Sequence, residues 1–310
     1  MGIISKTYIK KFVGRYDKIV GVPYHSYTDF KGLKQESFSF NNSKGIEIHC
    51  FYYFYDNYQK DKIVLFCHGL GPGHVSYLAD IDALARRGYK VLTLDYRGCG
   101  ESKGPYLGSL SAPTRDVMDL LNYLKLDQQI ILIGHSLGGF TALKVASLRK
   151  DISKVVVFAP IVTIRPMVYS AAKSKFITHF VLRYENKVEK EYDSIDLPKY
   201  LGNTEDNILF MQSSDDPIVP YESSLKVAEE KHNPHIQIVK FDKRGHNPNY
   251  TDEAVRYMRE VFDEYYRLMA QKKMETDEDK IAFFKDKSLE KMTEQDEAVF
   301  DKIKSFIEQQ

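Results

Sequence analysis

Cysteine is scarce in this chain. The 310 residues include only three cysteines, Cys50, Cys67 and Cys99, which lie far apart and without the spacing of metal ligands. An odd and sparse count does not fit a disulfide framework and is typical of reduced thiols in a cytoplasm. The histidines outside the motifs discussed below show no ligand spacing either. We therefore predict neither a metal site nor a cofactor.

Long apolar runs and an excess of one charge are also lacking. No run approaches the roughly 18 apolar residues that a membrane-spanning helix needs, and the N-terminus has no apolar core of signal-peptide length. These absences predict a cytoplasmic protein without stable membrane insertion. The chain has 44 Lys and Arg residues against 43 Asp and Glu residues, a formal net charge of +1. This balance does not predict a nucleic-acid partner, which would need a clustered basic excess.

The periodicity of apolar residues indicates an α/β fold. Residues 36–40 and 46–52 alternate between apolar and polar side chains on either side of a turn, which is typical of a β-hairpin. From residue 62 onward, short apolar strands alternate with helical patterns, which predicts a mostly parallel central sheet flanked by helices. The strands of this sheet are expected at residues 62–67, 91–94, 129–133, 155–158, 208–211 and 236–239.

Three segments lie outside this alternation. Residues 161–206 are too long for an ordinary connection and lack strand-like alternation, so we predict a small, mainly helical cap inserted over the site. Residues 273–310 are predicted to form a C-terminal helical appendage to a domain of residues 1–272, with an oligomerisation helix as the alternative. Residues 1–35 are expected to include an amphipathic helix packed on the body, with a membrane-surface role as the alternative. The oligomeric state stays open between monomer and homodimer.

One hexapeptide, Gly134-His135-Ser136-Leu137-Gly138-Gly139, joins a predicted strand to a predicted helix. Gly-x-Ser-x-Gly in this position is the pattern of a nucleophile elbow, a strained turn that lifts the serine hydroxyl above a sheet. A Cβ at Gly134 or Gly138 would collide with the neighbouring backbone in so tight a turn. The hexapeptide therefore makes Ser136 the candidate nucleophile.

A serine nucleophile needs a base, and the base needs an acid that orients it. Two strands that follow Ser136 each end in a suitable residue. The strand at 208–211 leads to Asp215 and Asp216, and the strand at 236–239 leads to His246. The order Ser, Asp, His along the chain is the one that the α/β-hydrolase topology requires.

The chain resembles serine hydrolases of the α/β-hydrolase fold, and in particular small bacterial esterase/lipase and serine-aminopeptidase-like members. The resemblance covers about residues 45–270. It rests on four motifs, each read directly from the sequence: His68-Gly69-Leu70-Gly71, Asp95-Tyr96-Arg97-Gly98-Cys99-Gly100-Glu101-Ser102, the elbow, and Asp216-Pro217-Ile218-Val219-Pro220 with the later Gly245-His246.

The resemblance implies a role for several residues. Ser136 would be the nucleophile, His246 the general base and then the general acid, and Asp216 the acid that orients His246, with Asp215 as the competing acid. The amides of Leu70 and Leu137 would form the oxyanion hole. His68 and His135 would orient loops beside the machinery, and His74 would lie near the pocket or at the surface where a helix starts. Further candidates for contact with substrate are His68, His74, His135, Met167, Phe176 and Phe180.

These observations predict a carboxylic-ester hydrolase that forms an acyl-enzyme and accepts a small to medium acyl group, with aromatic acyl groups among the candidates. The partner would be a small-molecule ester. The alternatives are a peptidase, an amidase or a thioesterase with the same triad, and a catalytically silent protein that binds small molecules. A peptidase would need a carboxylate in the cap to hold a free amino terminus, and Glu185, Glu189 and Glu191 are available, although solvated helix charges are the simpler interpretation.

Overall fold

A single sheet of eight strands organises the chain, and the computed structural model describes residues 3–309. The strands are β1 (Lys34–Asn41), β2 (Glu47–Phe54), β3 (Lys62–Cys67), β4 (Lys90–Leu94), β5 (Gln129–His135), β6 (Ile152–Phe158), β7 (Ile208–Ser213) and β8 (Ile236–Phe241). Their order across the sheet is β1-β2-β4-β3-β5-β6-β7-β8.

The sheet is mixed at one edge and parallel elsewhere. Strands β1 and β2 form the predicted antiparallel hairpin, and β2 is also antiparallel to β4. All remaining neighbours run parallel. The carboxyl ends of the parallel strands therefore lie at one edge of the sheet, where sites in such folds form. The predicted fold class is confirmed.

Thirteen α-helices accompany the sheet in residues 3–309. They are α1 (Ile3–Phe12), α2 (Leu78–Arg86), α3 (Ala112–Leu124), α4 (Leu137–Leu148), α5 (Ile164–Ala172), α6 (Lys175–Val188), α7 (Lys190–Asp193), α8 (Leu197–Asn203), α9 (Leu225–Lys231), α10 (Asp252–Ala270), α11 (Asp277–Phe284), α12 (Leu289–Met292) and α13 (Glu297–Glu308). None of these described helices is long and apolar enough to cross a membrane.

The sheet separates two apolar layers. Along β3, Ile63, Leu65 and Cys67 face one layer, while Val64 and Phe66 face the other. This alternation follows from the two-residue period of a strand, and both faces are covered, so the strand is apolar throughout. The three cysteines are free and buried, and the cytoplasmic location that their scarcity predicts stays a prediction.

The C-terminal segment contributes more to the body than an appendage would. Helix α13 places Phe300 and Ile303 in the same apolar layer as Phe158 of β6 and helix α2. The ring of Phe300 lies 6.4 Å from that of Phe158. Packing on the body was predicted, but burial against the central sheet was not. The predicted division between residues 272 and 273 stays a prediction.

The predicted cap segment forms helices α5 to α8, between β6 and β7. An ion-pair network attaches it to the body. Arg97 pairs with Asp116 of α3 and, at 3.0 Å, with Glu189 at the end of α6, and Arg115 of α3 pairs with Glu189 at 2.8 Å. A second buried carboxylate, Glu185 of α6, accepts hydrogen bonds from the Tyr8 hydroxyl of α1 and from the Leu110 amide.

Candidate active site

Ser136 lies in a strained turn between β5 and α4. Its φ is 56° and its ψ is −115°, which is unusual for a residue with a side chain. The Ser136 amide donates to the carbonyl of Phe158 at 2.9 Å, so the neighbouring strand β6 holds the turn in place. Only 8% of Ser136 is exposed. The sequence therefore forms the predicted elbow geometry at this serine.

The glycines around Ser136 permit a close approach of backbones. A Cβ on Gly134 would overlap the backbone of Gly138, and a Cβ on Gly138 would overlap the carbonyls of Cys67 and His68. The elbow thus lies directly against the end of β3, where the loop containing Leu70 begins. This contact brings the two segments of the predicted oxyanion hole together.

Leu137 and Leu70 occupy suitable positions for amide donors. Leu137 is the first residue of α4, so its amide is one of the N–H groups that a helix leaves without an intrahelical partner. Leu70 lies in the loop after β3, with 42% of its surface exposed. Gly71, with a φ of +154°, would have open space around a Cβ. The assignment of the oxyanion hole to these two amides stays a prediction.

His246 is hydrogen-bonded to Asp216, with 2.8 Å between the histidine Nδ1 and the carboxylate Oδ2. The other carboxylate oxygen accepts from the amides of Ile218 and Val219 at 2.8 and 2.9 Å. Asp216 is therefore a fully oriented acceptor, and its side chain is 1% exposed. Because a carboxylate accepts at Nδ1, the proton of a neutral imidazole is placed there and Nε2 is left as the basic atom.

Asp215, the competing acid, faces other groups. It accepts from the Ser213 hydroxyl at 2.5 Å and from the Gly245 amide at 2.9 Å. These bonds fix the loop just before His246 rather than its ring. Burial opposes ionisation of this carboxyl, but the bonds from Ser213 and Gly245 outweigh it and lower its pKa.

Ser136 and His246 come from segments that touch through His135. The rings of His135 and His246 have centroids 4.6 Å apart. Both Ser136 and His246 lie within the described residues 3–309, and the Ser136 hydroxyl makes no hydrogen bond to the His246 ring there. Such contacts in unliganded hydrolases are often long and shorten when substrate binds.

His135 and Tyr77 connect the oxyanion loop with the loop of His246. The Nε2 of His135 lies 2.7 Å from the carbonyl oxygen of His246, and the Nδ1 lies 2.9 Å from the Tyr77 hydroxyl. A carbonyl can only accept, so Nε2 carries the proton and Nδ1 accepts from Tyr77. The Tyr77 oxygen also lies against Gly69, where an added Cβ would overlap it. Burial, and then the nearby His246, lowers the pKa of His135 to about 3, which keeps this ring neutral.

His68 and His74 are both buried, and neither lies at a surface. The His68 ring stacks on Tyr96 at 3.9 Å and accepts from the Tyr96 amide, and burial lowers its pKa to about 4. His74 pairs with Asp95 at 2.8 Å and stacks on Phe51 at 3.8 Å. His74 begins a short 3-10 helix (His74–Tyr77), but it is only 2% exposed, so the expected surface position is wrong, whereas its contact with the pocket stays a prediction. Both histidines hold loops in place.

The predicted cap contacts have different surroundings. Met167 packs partly against the body core. Phe176 and Phe180 contact each other, with ring centroids 4.7 Å apart, but they are 65% and 38% exposed. Their rings face solvent, and contact of any of the three with substrate stays a prediction.

The cap carboxylates are occupied, which corrects their interpretation as solvated charges. Glu189 is 3% exposed between two arginines, and Glu185 is 1% exposed and bonded to Tyr8 and Leu110. Only Glu191 is a solvated charge, 68% exposed and 3.7 Å from Arg115. Of these three carboxylates, Glu185 and Glu189 are therefore already paired within the protein, whereas Glu191 faces solvent.

Sequence reasoning missed a polar cluster behind the site. Asp80 of α2 accepts from Asn249 at 2.6 Å, and Asn249 also donates to Gln295 at 3.2 Å. Burial raises the pKa of Asp80 to about 8. The position of Asp80 among the apolar residues of α2 was a signal from which its burial could have been predicted. No pattern in the sequence marked Tyr77, Asn249 or Gln295. Among residues 3–309, no three His, Cys, Asp or Glu side chains are grouped to hold a metal ion.

Comparison with known proteins gives a family match over the part of the chain that contains Ser136. Residues 58–195 match the family model described as serine aminopeptidase, S33. A putative esterase/lipase of Haemophilus influenzae is 28% identical over 155 residues, 50% of this chain and 52% of that protein. An epoxide hydrolase of Caballeronia sordidicola is 36% identical over 96 residues, 30% of this chain and 29% of that protein. The chain thus spans about half or less of the length of these curated relatives.

Solved structures share the fold at low sequence identity. A Pyrococcus furiosus esterase, Pf2001, has a TM-score of 0.58 at 21% identity, covering 83% of this chain and 96% of its own. Est1E from Butyrivibrio proteoclasticus, solved with ferulic acid bound, has a TM-score of 0.55 at 18% identity, covering 74% and 97%. The sheet and these structural neighbours show that the chain has the α/β-hydrolase fold.

Proposed function

We propose that this protein is a serine hydrolase that cleaves carboxylic esters of small to medium acyl groups. The observation that carries the proposal is the Asp216–His246 hydrogen bond beside a strained serine turn. A serine hydroxyl becomes a useful nucleophile only when an oriented base takes its proton. Here the base is oriented through Asp216, and its loop is tied to the elbow through His135.

The reaction follows from these positions. Ser136 Oγ attacks the ester carbonyl while His246 Nε2 takes its proton, and the oxyanion forms against the amides of Leu70 and Leu137. His246 then gives the proton to the alkoxy oxygen, the C–O bond breaks, and the alcohol leaves an acyl-Ser136 ester. Water attacks this ester by the same steps, with His246 again as base and then acid, and the carboxylic acid leaves.

A peptidase is the second candidate because the matched family model is described as a serine aminopeptidase. An aminopeptidase requires an anionic group for the substrate ammonium. Glu185 and Glu189 are paired within the protein, and Glu191 is solvent-exposed beside Arg115, which favours the esterase. An aromatic acyl group is included in the proposal because a structural neighbour holds ferulic acid.

Two assays test the proposal. Fluorophosphonate labelling reports the nucleophile, and p-nitrophenyl esters from acetate to palmitate, together with methyl ferulate, report the acyl preference. An aminoacyl p-nitroanilide and an acyl thioester serve as the competing substrates. We expect labelling and ester turnover in the wild type and neither in Ser136→Ala.

A matched pair of variants tests the acid. Asp216→Asn should lower kcat on the order of 10³-fold or more, because it removes the acceptor that sets the tautomer of His246. Asp215→Asn, one residue away, should cost at most about tenfold, because it alters bonds of the loop before His246 and an exposed ion pair with Arg259, and leaves the His246 ring untouched. Equal losses in the two variants would contradict the assignment of Asp216. Absence of labelling in the folded wild type would favour a silent binding protein.

A further inference from the structure

Positive charge is concentrated in two helical segments that pack together. Residues 3–12 and 163–188 contain eight Lys and Arg residues and one acidic residue, Glu185. The rest of the chain therefore has 36 Lys and Arg residues against 42 acidic ones, from totals of 44 and 43. Because Glu185 is buried, neither segment exposes a carboxylate. The near-neutral net charge hides this separation.

All eight cations occupy exposed positions. The nearest ion pairs of the cap involve Arg97 and Arg115, not these residues. In the part of the chain that the structure describes, none of the eight makes an ion pair. They are Lys6, Lys10 and Lys11 in α1, and Arg165, Lys173, Lys175, Arg183 and Lys187 in the cap, all in exposed positions.

Exposed aromatic side chains are interspersed with these cations. Tyr169 of α5 is 45% exposed and lies in sequence between Arg165 of the same helix and Lys173, which directly follows the helix. Helix α6 presents Phe176, Phe180, Arg183 and Lys187, which follow the i, i+4, i+7, i+11 spacing of one helical face. In α1, Phe12 is 45% exposed beside Lys10 and Lys11.

Side-chain contacts join α1 to α6, and α5 packs on α6. The Tyr8 ring of α1 meets the Tyr184 ring of α6 at 5.8 Å, and the Tyr8 hydroxyl donates to Glu185 at 2.7 Å. Phe12 stacks on Tyr8 at 5.8 Å. The buried residues of the pair thus hold together two helices whose exposed residues are cationic and aromatic. We call the exposed residues of α1, α5 and α6, together with Lys173 directly after α5, the basic aromatic surface.

We infer that the basic aromatic surface binds the headgroup region of an anionic lipid bilayer. Lys and Arg side chains are attracted to anionic phospholipid, and aromatic rings enter the boundary between headgroups and acyl chains. A second copy of the chain would place like charges against each other. An acidic protein or a polyanion would satisfy the cations but would not need solvent-exposed phenylalanines. The surface lies on the helices and spans nothing, in agreement with their lengths.

Vesicle flotation tests the inference with the full chain. Wild-type protein is mixed with phosphatidylcholine vesicles that contain either no or 30% phosphatidylglycerol, at low and at about 0.5 M NaCl. We expect flotation with the anionic vesicles at low salt only, because salt screens the attraction. Equal flotation with both vesicle types, or none with either, would overturn the inference.

Two double variants identify the surface. Lys173→Glu with Lys175→Glu, and Phe176→Ser with Phe180→Ser, should each weaken binding to anionic vesicles at least about tenfold. The control combines Tyr266→Ser with Lys273→Glu in exposed positions outside the surface, and it should bind like the wild type. Loss of binding in the control, or retention in both double variants, would contradict the inference.

Two further readouts keep the result interpretable. Thermal unfolding verifies that each variant is folded, which we expect because all altered side chains are exposed. Retention on heparin without vesicle binding would assign the surface to an acidic macromolecule and overturn the lipid. Flotation does not depend on ester hydrolysis, so failure of the proposed function and failure of this inference are separately visible.

Discussion

The elbow and the cap are held in place by different forces. Around Ser136 the backbone itself makes the contacts, because Gly134 and Gly138 leave no space for side chains and the adjoining strands are apolar. The cap is attached instead by buried ionisable groups, Arg97, Glu189 and Glu185. Steric contacts of this kind do not titrate, whereas carboxylates do. The turn at Ser136 should therefore keep its geometry over a pH range in which the attachment of the cap changes.

The largest effect is expected from Gly138→Ala, which would test the steric half of this comparison. The new methyl group would overlap the carbonyls of Cys67 and His68, which are backbone atoms and cannot rotate away. We expect the free energy of unfolding to fall by about 3 kcal/mol or more, and we expect ester turnover to be lost. Urea unfolding and p-nitrophenyl acetate hydrolysis measure the two.

Gly202→Ala is the matched control in the cap. A Cβ there meets only the Cδ of Lys231 at 3.3 Å, the flexible part of a side chain. Because Gly202 lies in helix α8, alanine should be neutral or stabilising by up to about 1 kcal/mol. Equal destabilisation by the two substitutions would contradict the steric account of the elbow.

The pH dependence of stability tests the charged half. Burial raises the pKa of Glu185 from 4.5 to about 7, against smaller opposing contributions from its bonds to Tyr8 and Leu110. The folded state therefore retains a proton that the unfolded chain releases. This contribution to the free energy of unfolding is fully present below about pH 4.5. It falls by about 3 kcal/mol as the pH rises to 7.

Glu185→Gln should remove that slope. Glutamine can accept from the Leu110 amide and donate to the Tyr8 oxygen, so the bonding is preserved. Urea unfolding at pH 4.5, 6 and 7.5 measures the slope in both proteins. The neighbouring titrations of Asp193, whose pKa burial raises, and of Lys144, whose pKa burial lowers to about 8, are present in both. An unchanged slope between pH 4.5 and 7 would exclude Glu185 as its source.

Glu189→Gln should have a smaller effect. It removes the charge shared by Arg97 and Arg115, but Arg97 retains its bonds to Asp116. We expect a loss of about 2 kcal/mol, as for a hydrogen bond between charged groups. Glu191→Gln, at an exposed carboxylate 3.7 Å from Arg115, should change stability by less than about 0.5 kcal/mol. Thermal unfolding of both variants distinguishes the buried pair from the exposed one.

Tyr77→Phe and Tyr184→Phe should have the smallest effects on stability, about 1 kcal/mol each, because each loses one hydroxyl from a partly buried bond. Their effects on catalysis should differ. Tyr77 bonds His135, which in turn contacts the loop of His246, so its loss should lower kcat roughly tenfold with KM unchanged. Tyr184 bonds Gly108 beneath the cap, and kcat should be unchanged. Equal kcat values in the two variants would show that Tyr77 does not position the site.

Much of the body could be predicted because its signals are local. Two-residue alternation marked the hairpin, continuous apolar runs marked the doubly covered strands, and the glycines around Ser136 marked the elbow. The candidate residues Asp216 and His246 could be placed at strand ends because parallel strands carry their site at the carboxyl edge. A resemblance to a known family then chose Asp216 over Asp215, and the structure pairs Asp216 with His246.

The sequence by itself determined the strands, the elbow and the order of the candidate triad, since each strand, the elbow and each triad residue is marked by a pattern of residues close together in the chain. Tertiary structure alone decided which polar groups are buried. The hydrogen bonds His74–Asp95, Tyr77–His135 and Glu189–Arg97 each join segments that are distant in the chain and that only the packed fold brings together. A buried charge is stable only beside a partner, and periodicity does not identify partners across the chain. For the same reason, the exposed cations became a surface only when α1 packed on α6.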